Sequence, residues 1–146
     1  MSEPLVLTID FGTQSVRAML FDKHGKDYGK EKVHFKEPYF SKEIGWAEQK
    51  PEFYWDRLKE ATNGLKAKCP ELWDDIRAVS VTTIRDTAVI VDKDGKPLRD
   101  IILWLDQREV KDADKTRFGS GFKSLLRLIN MYDMAATQCK SSPCNW

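Results

Sequence analysis

Apolar residues open the chain at every second position. Leu5, Leu7 and Ile9 share one face of a first strand, and after a short polar break Val16, Ala18 and Leu20 share one face of a second. The Lys23-His-Gly-Lys26 stretch supplies a turn. Asp27 to Lys36 then returns as a third, more polar strand, so the front of the chain reads as an antiparallel β-meander. Lys26, Lys30, Glu31, Lys32 and Lys36 read as the solvated face and edge protection of that outer strand. From Glu37 to Lys50 the pattern lapses into an ordered loop containing Pro38 and Gly45. Pro51 then suits a first helical turn, and Tyr54, Leu58, Ala61 and Leu65 follow at helical spacing up to the stop at Pro70, with Gly64 a weak spot.

Ile76 to Ile84 alternates again and is rich in β-branched residues, which predicts a strand parallel to the first, reached by a helical crossover. Ala88 to Val91 reads as a further strand. Asp92-Lys-Asp-Gly-Lys-Pro97 makes a turn, and Ile101 to Leu105 returns as an apolar run, completing a hairpin. Asp106 to Arg117 is charged and predicted helical, Gly119 and Gly121 interrupt it, and Phe122, Leu125, Leu126 and Ile129 mark another helix. Ser142 and Pro143 fit the start of a helix that the remaining residues do not supply, which predicts a truncated architecture.

Composition narrows the class. A chain of 146 residues, 41% of them hydrophobic, can bury one sizeable core and is expected to be one domain. With 24 basic and 23 acidic side chains it lacks the charge excess that nucleic acid or an anionic membrane surface requires, so neither is expected as a partner. No apolar run approaches the ~20 residues of a membrane span, and no signal-peptide pattern opens the sequence, which points to the cytoplasm. Cys69, Cys139 and Cys144 are odd in number and far from His24 and His34, suggesting neither a disulfide framework nor a zinc site.

Chemistry concentrates in three places. At the junction of the first two strands lie Asp10, Gly12, Thr13, Gln14, Ser15 and Arg17, where a glycine lets backbone approach a ligand and N–H groups can face an anion. At the end of the Ile76 strand stand Arg85, Asp86 and Thr87. A guanidinium beside a carboxylate can donate to and accept from sugar hydroxyls, although a surface salt bridge accounts for the same residues. Finally, Trp104-Leu-Asp106-Gln-Arg108 offers a flat apolar wall and two opposite charges, serving either as contact or as scaffold for the cleft.

Asp10-Phe-Gly-Thr-Gln-Ser-Val-Arg17, closing on Phe21-Asp22, resembles the first phosphate motif of the FGGY carbohydrate kinases, members of the actin, Hsp70 and hexokinase superfamily. Gly45-Trp-Ala-Glu-Gln-Lys-Pro51 and Trp104-Leu-Asp-Gln-Arg108 resemble two further signatures of that family, in the same order. The Arg85-Asp86-Thr87 triplet is nearer the Arg-Glu-Thr of glycerol kinases than the Gln-Met-His type of xylulokinases, and matches neither.

The resemblance implies a ribonuclease-H-like α/β fold of the actin-like ATPase type. It also implies that residues 1–146 are part of an N-terminal kinase domain whose C-terminal partner domain lies outside the chain. It implies ATP and Mg²⁺ as cofactors and a sugar or polyol as substrate. Asp10 would hold the metal, Gly12, Thr13, Gln14 and Ser15 would line the phosphates, and Arg17 would approach the transferred group. Arg85, Asp86, Thr87, Trp104, Asp106 and Arg108 would form the substrate side, with Trp46, Glu48 and Gln49 structural, the last two satisfying free N–H groups of the helix that follows. No carboxylate is assigned as catalytic base, so the chain alone is expected to be inactive. Another ATPase of the superfamily and a non-catalytic sugar-binding module are the alternatives. An unpaired sheet edge and an exposed apolar helix face predict self-association into a homo-oligomer.

Overall fold

The computed structural model describes residues 3–110 and 118–141. These gather into two compact units, one of residues 3–38 and 50–85, the other of 39–49, 86–110 and 118–141.

The first unit is built on a four-stranded sheet. Strands β1 (Leu5–Phe11), β2 (Ser15–Asp22) and β3 (Asp27–His34) form the predicted meander, and β5 (Ile76–Thr82) adds parallel to β1, giving the order β3-β2-β1-β5. The helical crossover between them is α1 (Pro51–Lys68), followed by a 3-10 turn at Pro70–Asp75. Pro51 occupies the first turn of α1, Glu52 lies at its positive end and Lys66 and Lys68 at its negative end, each complementing the helix dipole. The N-cap residue Lys50 makes no side-chain cap, and the Glu48 carboxylate, expected to satisfy free N–H groups of the helix, is instead engaged by Lys42 and Arg108 in the other unit.

Alternation decides what is buried. Leu7 and Ile9 of β1, Val16, Ala18 and Leu20 of β2, and Val33 and Phe35 face Ala61, Leu65 and Cys69 in one core. Phe35, Phe53 and Tyr54 close its end edge to face, with ring centroids 5.1 to 6.1 Å apart. The approach of α1 to β3 needs small residues. A Cβ on Gly29 would stand 2.6 Å from the Cys69 sulfur, and one on Gly64 would stand 2.9 Å from Cγ of Glu31. Gly64, a weak spot for helix propensity, is thus a point of close packing.

Register places Val79 and Val81 on the same face of the sheet as Leu7 and Ile9. They are nevertheless 61% and 57% exposed, since α1 lies over β2 and β3.

In the second unit β4 (Glu48–Gln49) pairs antiparallel with β6 (Ile101–Ile102), and Ala47, Leu103 and both β6 isoleucines are buried. Helices α2 (Ser120–Leu128) and α3 (Tyr132–Ser141) follow. Several expected boundaries move. Residues 88–91 make only single bridges, Ala88 to Ile102 and Val91 to Pro97, on either side of the expected turn at 92–97. The strand expected over 101–105 stops at Ile102, because the chain turns at Trp104 and closes with the Asp106 N–H donating to Leu103 O at 3.0 Å. Residues 106–110 form no helix, since the Asp106 side chain captures the N–H of Arg108 at 3.0 Å. The rest of that predicted helix, 111–117, and the helix start at Ser142-Pro143 lie outside the described residues, as does Cys144. The β4 strand and α3 had no counterpart in the sequence reading.

Candidate functional site

The hairpin joining β1 to β2 carries the first group of candidate residues. Its last ladder pair is Phe11 with Val16, and the Gly12 N–H donates to Ser15 O at 2.9 Å. That N–H, expected to face an anion, is therefore used inside the turn. The Gln14 carbonyl accepts from the Phe35 N–H at 2.8 Å, tying the tip to the continuation of β3. Ser15 is buried opposite His34, Gly12 and Thr13 are half-buried, and Gln14 is exposed. Gly12 has an ordinary negative φ, and a Cβ there would meet only Ser15 O, at 3.5 Å. The turn itself does not require glycine.

Asp10 and Arg17 are register partners on the sheet face opposite α1, and the Arg17 guanidinium donates to Asp10 Oδ2 at 2.6 Å. Both side chains keep over a third of their surface in contact with solvent. The same register runs across all four strands, placing Lys32, Arg17, Asp10 and Thr82 in one row. Asp10 fits a hard divalent cation: it is an accessible oxygen ligand at a position that already attracts positive charge, and Mg²⁺ commonly uses one or two carboxylates plus phosphate and water.

Beyond β5 the chain turns through Arg85 and Asp86, both exposed. Asp86 has φ of 53°, in the left-handed region that a non-glycine residue enters at a cost, as happens at sites where backbone must present a side chain. In the second unit the Thr87 hydroxyl accepts from the Trp104 N–H at 3.2 Å, fixing the backbone of a tryptophan that is 54% exposed.

Asp106 and Arg108, by contrast, are buried in a charge cluster. Arg108 donates through Nε and a terminal nitrogen to the two Asp106 oxygens at 2.7 Å each, and reaches Glu48 Oε1 at 3.0 Å. Its guanidinium lies 3.8 Å over the Trp46 ring. Asp106 also accepts from the Ala47 N–H at 2.7 Å, and Lys42 bridges Glu48 and Asp100 at 2.8 and 3.0 Å. Burial pushes the Asp106 carboxyl up, but the hydrogen bonds from Arg108 and from the Ala47 and Arg108 N–H groups outweigh it and hold the group below its ordinary value. Burial lowers Arg108, and the Asp106 and Glu48 carboxylates reverse that, holding it above its ordinary value.

The structure thus brings Asp10 together with Arg17, Thr87 with Trp104, and Asp106 with Arg108. Sequence reasoning missed Lys42 and Glu48 as members of the last cluster, and Glu48 was misassigned to the helix start. The available signal was an acidic residue flanked by Ala47 and Gln49 in a segment that leads from Trp46 into a proline.

Residues 5–128 match the model of the FGGY family of carbohydrate kinases, N-terminal domain. A glycerol kinase of Thermococcus kodakarensis is 33% identical over 141 residues, covering 94% of this chain and 28% of that protein. One from Rhizobium meliloti is 35% identical over 113 residues, covering 77% of this chain and 22% of its own length. The chain thus spans about a quarter of the curated relatives it matches. Among solved structures, a xylulose kinase from Brucella ovis superposes with a TM-score of 0.72 at 21% identity over 93% of this chain and 31% of that one. Plasmodium falciparum glycerol kinase with ADP superposes at 0.62, with 23% identity, over 82% and 24%. These likenesses show the actin-like α/β fold, and with the match over residues 5–128 this chain belongs to the FGGY family of carbohydrate kinases.

Proposed function

We propose that this chain supplies the phosphate-side hairpin and part of the substrate wall of an ATP-dependent kinase acting on a small polyol or sugar. Glycerol is the first candidate, since the curated relatives named above are glycerol kinases. The observation that carries the reading is the accessible Asp10–Arg17 pair at the base of the hairpin, a carboxylate and a guanidinium 2.6 Å apart. Phosphoryl transfer asks mainly for positioned charge of both signs.

Asp10 would hold Mg²⁺ through water, and the metal would supply neutralisation of phosphate charge. Arg17, relieved of Asp10, would turn its fork of donors to the transferred group. Gly12, Thr13, Gln14 and Ser15 would shape the turn against the β- and γ-phosphates, Gly12 by presenting no side chain. Arg85 and Asp86 would donate to and accept from substrate hydroxyls, and the Trp104 ring would cover carbon. Thr87 would act on substrate through the Trp104 backbone. Asp106 and Arg108, closed on each other and on Glu48, would hold that wall in place. The general base is not assigned to any residue of this chain, and the cytoplasm remains the expected compartment.

The test is a coupled ADP-release assay on the longer protein that contains this chain, against glycerol, pentoses, hexoses and ketoses, alongside D10N and R17Q variants. Polyol-dependent turnover that falls at least a hundredfold in D10N supports the reading. ATP hydrolysis indifferent to every polyol would instead favour another ATPase of the superfamily. Polyol binding without turnover would favour a binding module.

A further inference from the structure

Lys30 and Lys32 have no part in the function proposed above. They stand two positions apart on β3, on the face opposite α1, and register sets Lys32 directly beside Arg17 and Lys30 beside Met19. Neither lysine has an ion-pair partner among the described residues. Lys68 reaches over the outer edge of β3 from the end of α1, held by Glu31 and by the Lys30 carbonyl at 3.3 Å. Together Arg17, Met19, Lys30, Glu31, Lys32 and Lys68 line an open cavity of about 480 Å³, within the range of small-ligand sites.

The charge balance of this cavity is uneven. It gathers four cations against one carboxylate, Glu31, whose charge is taken up by Lys68, while Asp10 on the far side of Arg17 engages only one guanidinium nitrogen. The whole chain carries 24 basic and 23 acidic side chains, so the concentration is local. Like charges on directly opposed strand positions cost stability, and Arg17 beside Lys32 is such a pair. A compact anion accepting from both side chains would turn that repulsion into attraction.

We propose that this ledge binds a phosphate dianion, held by Lys30, Lys32 and the outward donors of Arg17. A phosphate group presents three acceptor oxygens, enough to take up two ammonium groups and a guanidinium that line one cavity. Met19 forms an apolar floor that leaves room for the carbon of a phosphomonoester. The group arrives as inorganic phosphate, as a phosphorylated polyol or as the end of a nucleotide. The site shares Arg17 with the kinase reading, and Lys30 and Lys32, which have no part in that reading, let the two be tested apart.

The protein is titrated without Mg²⁺ with inorganic phosphate, glycerol 3-phosphate and ATP in turn, following backbone amide shifts by NMR and affinity by calorimetry. The expected result is perturbation centred on Lys30 and Lys32, affinity reduced about 5–10-fold in K32Q, and loss in K30Q/K32Q, as for deletion of screened charge-assisted hydrogen bonds. D10N, which removes the carboxylate beside Arg17 and none of the ledge's donors, should not weaken phosphate binding, whereas turnover should fall at least a hundredfold in the kinase assay. Tightest binding of glycerol 3-phosphate identifies a phosphomonoester site, and tightest binding of ATP identifies the nucleotide's terminal group; both support a dianion ledge. Equal affinity in parent and K30Q/K32Q, or shifts confined to Gly12–Gln14, overturns it. Thermal melting of K32Q gives a second check. Removing the opposed charge should leave the melting temperature equal or raised, and a clear drop would refute the premise of repulsion.

Discussion

Replacing Arg108 by methionine isolates what the buried charges of the second unit contribute. Methionine keeps an unbranched apolar stem to lie against Trp46, so packing is largely retained while the guanidinium is lost. Three side-chain hydrogen bonds disappear, two to Asp106 and one to Glu48, from carboxylates whose side chains are 2% and 8% exposed. Breaking a buried pair by removing one member costs about 3–5 kcal/mol. Asp106 retains the Ala47 and Arg108 N–H donors and Glu48 retains Lys42, which places the expectation near the lower end, about 3 kcal/mol. Denaturant unfolding followed by tryptophan fluorescence measures it. The pH dependence has a definite sign. Folded Asp106 lies below its ordinary value, so its contribution is complete above about pH 4 and is lost as pH falls through the folded value. In R108M the burial that raises the carboxyl is less opposed, so parent and variant should differ most at neutral pH and converge in acid. The triple variant E48Q/D106N/R108M, which buries no charge, should recover much of the loss. A deficit under about 1 kcal/mol at pH 7 would mean that the cluster behaves as a surface ion pair, and would refute the reasoning.

G12A should leave folding stability unchanged or raised by about 0.4–1 kcal/mol, because φ is ordinary and the added Cβ finds only Ser15 O at 3.5 Å, while ATP affinity of the longer protein falls; a lowered melting temperature would count against this. Y54F should be neutral or stabilising by about 1 kcal/mol, since the buried Tyr54 hydroxyl has no hydrogen-bond partner among the described residues and burial pushes its pKa up to about 12. Spectroscopic titration of the parent should show one tyrosine ionising near that value. G29A should cost about 1–3 kcal/mol by driving a methyl into the Cys69 sulfur, and C69A in the same chain should restore much of it in a denaturant melt.

Elements whose signal is local were readable from the sequence. The meander follows from alternation in Leu5–Ile9 and Val16–Leu20, and α1 from Pro51, the spacing of Tyr54 to Leu65, and Pro70. Its crossover to a parallel β5 follows from handed, helix-covered connections. What stayed hidden depends on partners distant in the chain. Two-residue β4 takes its ladder from the distant Ile101–Ile102, and Glu48 is tolerated in its buried position because Lys42 and the distant Arg108 meet it. Asp106 and Arg108 looked equally suited to substrate or scaffold, and nothing local could reveal that they satisfy each other. The tip residues do fall together on one hairpin, yet the Gly12 N–H is spent inside the turn, a detail set by hairpin geometry rather than residue type.

The position of β1 has a consequence for how the chain assembles. One neighbour, β2, begins within five residues of its end, whereas the pairing of Leu5 with Ile76 waits for about seventy residues of intervening chain. At about 5–20 residues per second on the ribosome, β1 therefore spends roughly 4–14 s with one edge open. During that interval the emerging hairpin offers unpaired amides and carbonyls to any extended segment nearby. Nascent chains of this protein should depend on chaperone capture more at this stage than after β5 has emerged.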